Sequence, residues 1–190
     1  MQLEDAHELA RRAAAGDAAA TTRLLKKLTP SMMRVVRGVM GAHTADVEDV
    51  AQQSLIALIH ALPAFRGECE PAGYACRIAL RTALAARKRA AGMRARRDSG
   101  ADTEMLVAAA HDHDATRRTE LLRGLLDELP SEQAEALTMR TVLGWSLEEI
   151  AAAAGAPVNT IRSRLRLAKE AMRRKIEADP SISEELGVSP

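Results

Sequence analysis

The stretch from Gly144 to Lys175 constrains this chain more than any other. Ser146 is a good helix N-cap, and Glu149, three residues on, has the spacing that closes a capping box with it. A short helix is therefore predicted from about Leu147 to Ala154, with Gly155 supplying the left-handed stop. Pro157 sits near the start of a second helix, where its missing N–H is tolerated. That helix puts Val158, Ile161, Leu165, Ala168, Met172 and Ile176 on one face by steps of three and four. Arg162, Arg166, Lys169 and Arg173 fall on the opposite face, with Arg164 and Arg174 at the flanks.

A short helix, a glycine turn and a longer helix with an apolar back and a cationic front form the pattern of a DNA-binding helix-turn-helix. Asn159, Thr160, Arg162, Ser163, Arg166 and Lys169 are the candidates to reach base edges and phosphates in a major groove. The competing reading is an ordinary amphipathic hairpin with a solvated basic face.

Composition points the same way. The sequence is 47% hydrophobic but holds one Trp, one Tyr and one Phe, so alanine and leucine must do the packing, which favours helix over strand. The expected fold is all-α: two small helical domains on a flexible linker, the second containing the helix-turn-helix. No apolar run approaches the roughly 18 residues of a membrane span, and the polar N-terminus is unlike a signal peptide. Cys69 and Cys76 lack zinc-site spacing and read as free thiols, so a cytoplasmic protein is expected. The net charge of +1 hides an uneven distribution. Residues 1–90 hold 13 basic and 9 acidic residues, and residues 119–190 hold 9 and 12. Val158 to Ile176 nevertheless carries 7 basic residues against Glu170 alone, a directed electrostatic face on an acidic domain.

From the N-terminus, helices are predicted over Asp5–Ala14, Ala18–Leu28 and Ser31–Met40, with a break at Pro30. Asp46 opens a helix whose early acids suit the macrodipole. Its inward stripe is Val47, Val50, Ala51, Ser54, Leu55, Leu58 and Leu62, and its exposed side gathers Glu48, Asp49, Gln52 and Gln53. Pro63 ends it, and Ala64 to Gly73 reads as a loop. A helix resumes at Tyr74 and runs to about Arg89, with Arg77, Arg81, Arg87, Lys88 and Arg89 on its polar face. Residues 93–117 read as the linker, charged and glycine-containing; His111 to Asp114 within it resembles a metal cluster less than a solvated run. Arg117 to Leu129 starts the second domain with Leu121, Leu122, Leu125, Leu126 and Leu129 inward, followed by a helix over Glu132–Leu143. The acidic tail from Asp179 to Pro190 is open to two readings, a mobile end or a regulatory contact.

Asp46 through Gly67 with Tyr74-Ala75-Cys76-Arg77-Ile78-Ala79 resembles the second region of bacterial sigma factors, most closely the extracytoplasmic-function (ECF) group. Leu129-Pro130-Ser131-Glu132-Gln133 leading into Gly144–Lys175 resembles that family's fourth region, and Ala13–Asp17 its usual opening. The chain differs from the family's habit at Gln53, Tyr74, Ala75, Cys76, Arg81 and Ala85. The resemblance implies a first domain over 1–92, a linker over 93–117, a helix-turn-helix domain over 118–178 and a tail over 179–190.

It also implies the partners: core RNA polymerase, promoter DNA and an anti-sigma factor. Polymerase contact would fall on Asp46, Glu48, Asp49, Gln52 and Gln53. Minus-10 DNA would meet Phe65, Arg66, Tyr74, Arg77, Arg81, Arg87 and Lys88. The front of the Val158 helix would read the minus-35 element. Melted DNA needs cations for phosphates and flat surfaces for unstacked bases, and these residues offer both. Phe65 and Tyr74 read equally well as packing residues, and Arg87-Lys88-Arg89 as a solvated helix end. No catalytic set, cofactor motif or metal site is visible, so no enzyme activity is expected. The alternative is a helix-turn-helix regulator that acts without polymerase; a third reading is a sigma-like protein that binds only protein partners.

Overall fold

A computed structural model describes residues 5–41, 45–98 and 113–187, which form α-helices and no strand. The first half comprises α1 (Ala6–Ala14), α2 (Ala18–Met40), α3 (Val47–Ala61), a short 3-10 turn (Leu62–Ala64) and α4 (Pro71–Asp98). The second comprises α5 (His113–Asp127), α6 (Ser131–Thr141), α7 (Leu147–Ala154), α8 (Val158–Ala178) and α9 (Pro180–Leu186).

Local chemistry sets the helix starts. Asp17 caps α2: its carboxylate accepts from the amides of Ala19 and Ala20 at 2.9 and 3.0 Å, and from Arg12 Nη2 at 2.6 Å. The Ala20 amide, then the Arg12 guanidinium, hold its carboxyl below the ordinary value. Leu24, Met32, Val35, Val36, Leu58 and Leu80 are fully buried where α2, α3 and α4 meet. In the second half Met139, Ile150, Ile161 and Ala168 do the same work.

The break expected at Pro30 does not occur, because α2 runs through it. Leu24 and Leu28 before the proline and Met32, Val35 and Val36 after it are buried on one stripe, so tertiary burial outweighs the lost backbone bond. The Thr29 hydroxyl donates to the Leu25 carbonyl at 2.7 Å beside the interruption. The fourth helix starts at Pro71 and not Tyr74, and continues past Arg89 to Asp98. Alanine and arginine are strong helix formers and carry it across Gly92. Leu122, expected inward, is 40% exposed. Within the acidic tail Pro180–Leu186 forms α9, capped by Asp179 and tied back by Arg117 to the Glu185 carboxylate and by Arg118 to the Glu185 carbonyl. The Met105–Ala110 island and most of the expected linker lie outside the described residues, as do the side chains of the His111–Asp114 run.

The two halves are packed together. Buried residues from Leu9 to Ala168 form one contiguous cluster, with α4 lying against α6 and α7.

Candidate nucleic-acid interface

The helix-turn-helix is built from its caps. Ser146 Oγ accepts from the Glu149 amide at 3.1 Å, and Glu149 Oε2 accepts from the Ser146 amide at 2.7 Å. Gly155 takes φ 60° and ψ 38°, a conformation that a side chain disfavours. Its neighbour Ala156 donates to the Ala151 carbonyl at 3.1 Å, which turns the chain into Pro157 and α8. Ile150 of α7 and Ile161 of α8 are both fully buried, so the two helices share one seam.

The seam fixes what α8 shows to solvent. Asn159, Arg162, Ser163, Arg166 and Lys169 are exposed, while Thr160 is half-buried. Arg162 donates to Asn159 Oδ1 at 2.8 Å, and Arg166 pairs with Glu170 at 2.8 Å, both along the helix. Exposed pairs of this kind contribute little and exchange readily for phosphate. Arg164 differs: it turns back to Glu132 of α6 at 2.5 Å and braces the rod from behind. The six residues expected to meet a major groove therefore lie together on one open front.

The first half is less uniform. Phe65 and Tyr74 stack obliquely, ring centroids 5.0 Å apart, and the Tyr74 hydroxyl donates to the Ala61 carbonyl at 3.1 Å. Both are half-buried and brace the loop between the 3-10 turn and α4. Arg66 and Lys88 are exposed. Arg81 is exposed as well, but Arg77 and Arg87 are half-buried and all three are drawn to carboxylates of α5 and α6, so the expected cation row is not one open surface. Arg81 Nε lies 3.3 Å from Glu135, Arg77 donates to the Ala153 carbonyl at 3.0 Å, and Arg87 meets Asp127 at 3.0 Å. Cys69 and Cys76 are free thiols, and burial pushes both up in pKa, away from reactive thiolate.

On α3, Asp46, Glu48, Asp49, Gln52 and Gln53 are all exposed. The same face continues through Ile56 and Ile59, which are 47% and 43% exposed. The sequence reading passed over these two, although their absence from the inward stripe was the available signal. Exposed apolar residues rimmed by polar ones mark contact surfaces.

Comparison with known proteins bears on this arrangement. Residues 24–92 match the family model for Sigma-70 region 2, and residues 119–172 that for Sigma-70, region 4. The ECF RNA polymerase sigma-E factor of Salmonella typhimurium strain LT2 is 32% identical over 148 residues, 70% of this chain and 75% of the relative. The ECF RNA polymerase sigma factor SigD of Mycobacterium bovis is 32% identical over 177 residues, 85% of this chain and 79% of that protein. Among solved structures, CnrH in complex with the cytosolic domain of CnrY shares the fold, with a TM-score of 0.53 and 22% identity over 92% of this chain and 99% of that one. Two regions in order, on helices that expose a cationic rod at one end and an acidic helix face at the other, place this chain in the extracytoplasmic-function sigma factor family of RNA polymerase.

Proposed function

We propose that this chain binds core RNA polymerase and directs it to specific promoters, with its working surfaces divided between the two halves. The exposed face of α3 meets the polymerase through Asp46, Glu48, Asp49, Gln52 and Gln53, with Ile56 and Ile59 as its apolar centre. The loop at Phe65 and Arg66 and the start of α4, from Tyr74 through Arg77, Arg81, Arg87 and Lys88, holds the minus-10 strand. The front of α8 seats in the minus-35 major groove through Asn159, Thr160, Arg162, Ser163, Arg166 and Lys169. The polymerase performs the chemistry, so the role asks for no catalytic group in this chain.

The observation that carries this reading is the match to both sigma regions in order, with the α8 cations open to solvent on a rod braced from behind by Arg164 and Glu132. A helix-turn-helix regulator without polymerase contact leaves the region 2 match unexplained. The domain division supporting the role is 1–92 and 118–178, with α4 extending beyond the first boundary. No helix among the described residues is long and apolar enough to cross a membrane, in keeping with action in the cytoplasm, where the polymerase works. An anti-sigma partner fits as well: CnrH, whose fold this chain shares, was solved with the cytosolic domain of CnrY.

Transcription in vitro with core polymerase across a promoter library tests the function. Initiation at a defined subset of promoters, dependent on this chain, is expected; duplex binding with no core association and no transcripts overturns the reading. Purification from native cells tests the anti-sigma partner, which is abandoned if no second protein accompanies the chain under any growth condition.

A further inference from the structure

The strongest unexplained feature is the row of ion pairs between the halves. Glu135 of α6 is 13% exposed and sits between Arg81 Nε at 3.3 Å and Arg77 Nε at 3.7 Å. Arg77 also donates to the carbonyl of Ala153, near the end of α7, at 3.0 Å. One turn and a half further along α4, Arg87 grips Asp127 of α5 through two bonds of 3.0 and 3.3 Å, with Glu120 at 3.9 Å. Arg87 and Asp127 are 13% and 10% exposed, so neither is available to a phosphate in this arrangement.

We propose that the second half acts as an intramolecular clasp: carboxylates of α5 and α6 shield Arg77 and Arg87 and pair with the still-exposed Arg81, and so hinder single-stranded DNA on this row of α4 in the free chain. The inference rests on the assignment of that row to the minus-10 strand. The front of α8 stays uncovered in the same arrangement, so the closed chain blocks one DNA surface and leaves the other exposed.

Three features make the contact one that opens. A carboxylate shielded from water gains from its neighbours only what desolvation leaves, and burial pushes Glu135 up in pKa despite Arg81 and Arg77 beside it. The halves also meet imperfectly. A cleft of about 360 Å3, open to solvent, runs along the seam beside Leu84, Leu126 and Met172, and the buried Thr138 hydroxyl at its edge finds no hydrogen-bond partner. A permanent interface would be filled to the density of a protein interior. Finally, each arginine can exchange its carboxylate for a phosphate with no loss of charge pairing, so DNA and clasp compete above all for Arg77 and Arg87.

Two variants of the full chain open the clasp at different points. Asp127→Leu removes the carboxylate that Arg87 grips without adding a cation. Glu135→Lys sets a cation against Arg77 and Arg81. In small-angle scattering the wild-type chain should show the radius of gyration of a compact 190-residue protein, about 16 Å, and both variants a larger one at unchanged helicity. A labelled 12-nucleotide single strand should bind the variants more tightly. Releasing the two shielded arginines, Arg77 and Arg87, steepens the salt dependence by about 1.4 log units per log unit of salt, so the variants' advantage grows roughly sevenfold from 200 to 50 mM. Duplex binding through α8 should change less than about twofold, because the cations that neutralise its phosphates are untouched. An extended wild-type chain overturns the clasp, and so do expanded variants with no gain for the single strand. Core polymerase association, measured alongside, separates the two readings: its loss in the wild type defeats the sigma role, whereas its presence with an open free chain defeats the clasp alone.

Discussion

At the residue scale, caps do work out of proportion to their size. Ser146 and Glu149 satisfy two backbone amides that α7 would otherwise leave open, and the start of α7 sets how α8 emerges. Ser146→Ala should lower stability by about 1 kcal/mol, read as a lower midpoint in urea with an unchanged slope. Asp17 makes a prediction about pH. Its folded-state pKa is depressed below the ordinary 3.8, first by the Ala20 amide and then by Arg12. An acid depressed on folding stabilises above its unfolded pKa and loses that contribution as pH falls through the folded value. Asp17→Asn retains an acceptor for Ala19 and Ala20 but no charge, so its melting temperature should lie below wild type at pH 7, the gap starting to close below about pH 4 and vanishing only once the pH is under the depressed folded value. A gap that persists in acid would show that the carboxylate charge is not what Arg12 and the α2 amides recognise.

At the element scale, what could be read from the sequence follows how local the determinant is. The starts of α7 and α8 are legible, at about Leu147 and near Pro157, because serine, glutamate, glycine and proline act within a single turn. The continuity of α2 was not legible: Pro30 is a local stop signal, overruled by Leu28 and Met32 packing on distant helices. The far end of α4 was missed because its alanines and arginines carry helix propensity without an apolar stripe. Helix α9 was missed because its anchors, Arg117 and Arg118, lie more than sixty residues away. Arg162→Ala and Arg166→Ala together should weaken promoter binding and reduce the salt slope by about 1.8, one phosphate each, while core binding holds; equal loss of both would show that α8 is not a DNA-facing element. On α3, Asp49→Lys and Ile56→Ala should each lower affinity for core polymerase with the circular dichroism spectrum unchanged. Unaltered core affinity in both would remove that helix from the contact.

At the scale of the whole molecule, one buried cluster spans both halves, yet the first half contributes a large set to it from Leu9 through Leu80 and Ala83, and the cleft beside Leu84 marks where it meets the second. A fragment of residues 1–98 should therefore remain helical and melt in one cooperative step; a non-cooperative melt would mean that α6 and α7 complete its core. The pairing of Arg77 and Arg81 with Glu135 was not legible from the sequence, because nothing near any of the three specifies a partner more than fifty positions away. The same distance explains why the cation row read as an open face.

The unbroken run of α4 has a mechanical corollary. At about 1.5 Å per residue, the segment from Ala90 to Asp98 carries the departing chain some 13 Å beyond Arg89. It is a stiff outrigger, and its pitch sets the compass bearing on which the chain leaves α4 at Asp98. Removing one residue there would swing that bearing by about 100°, whereas removing a full turn would nearly restore it.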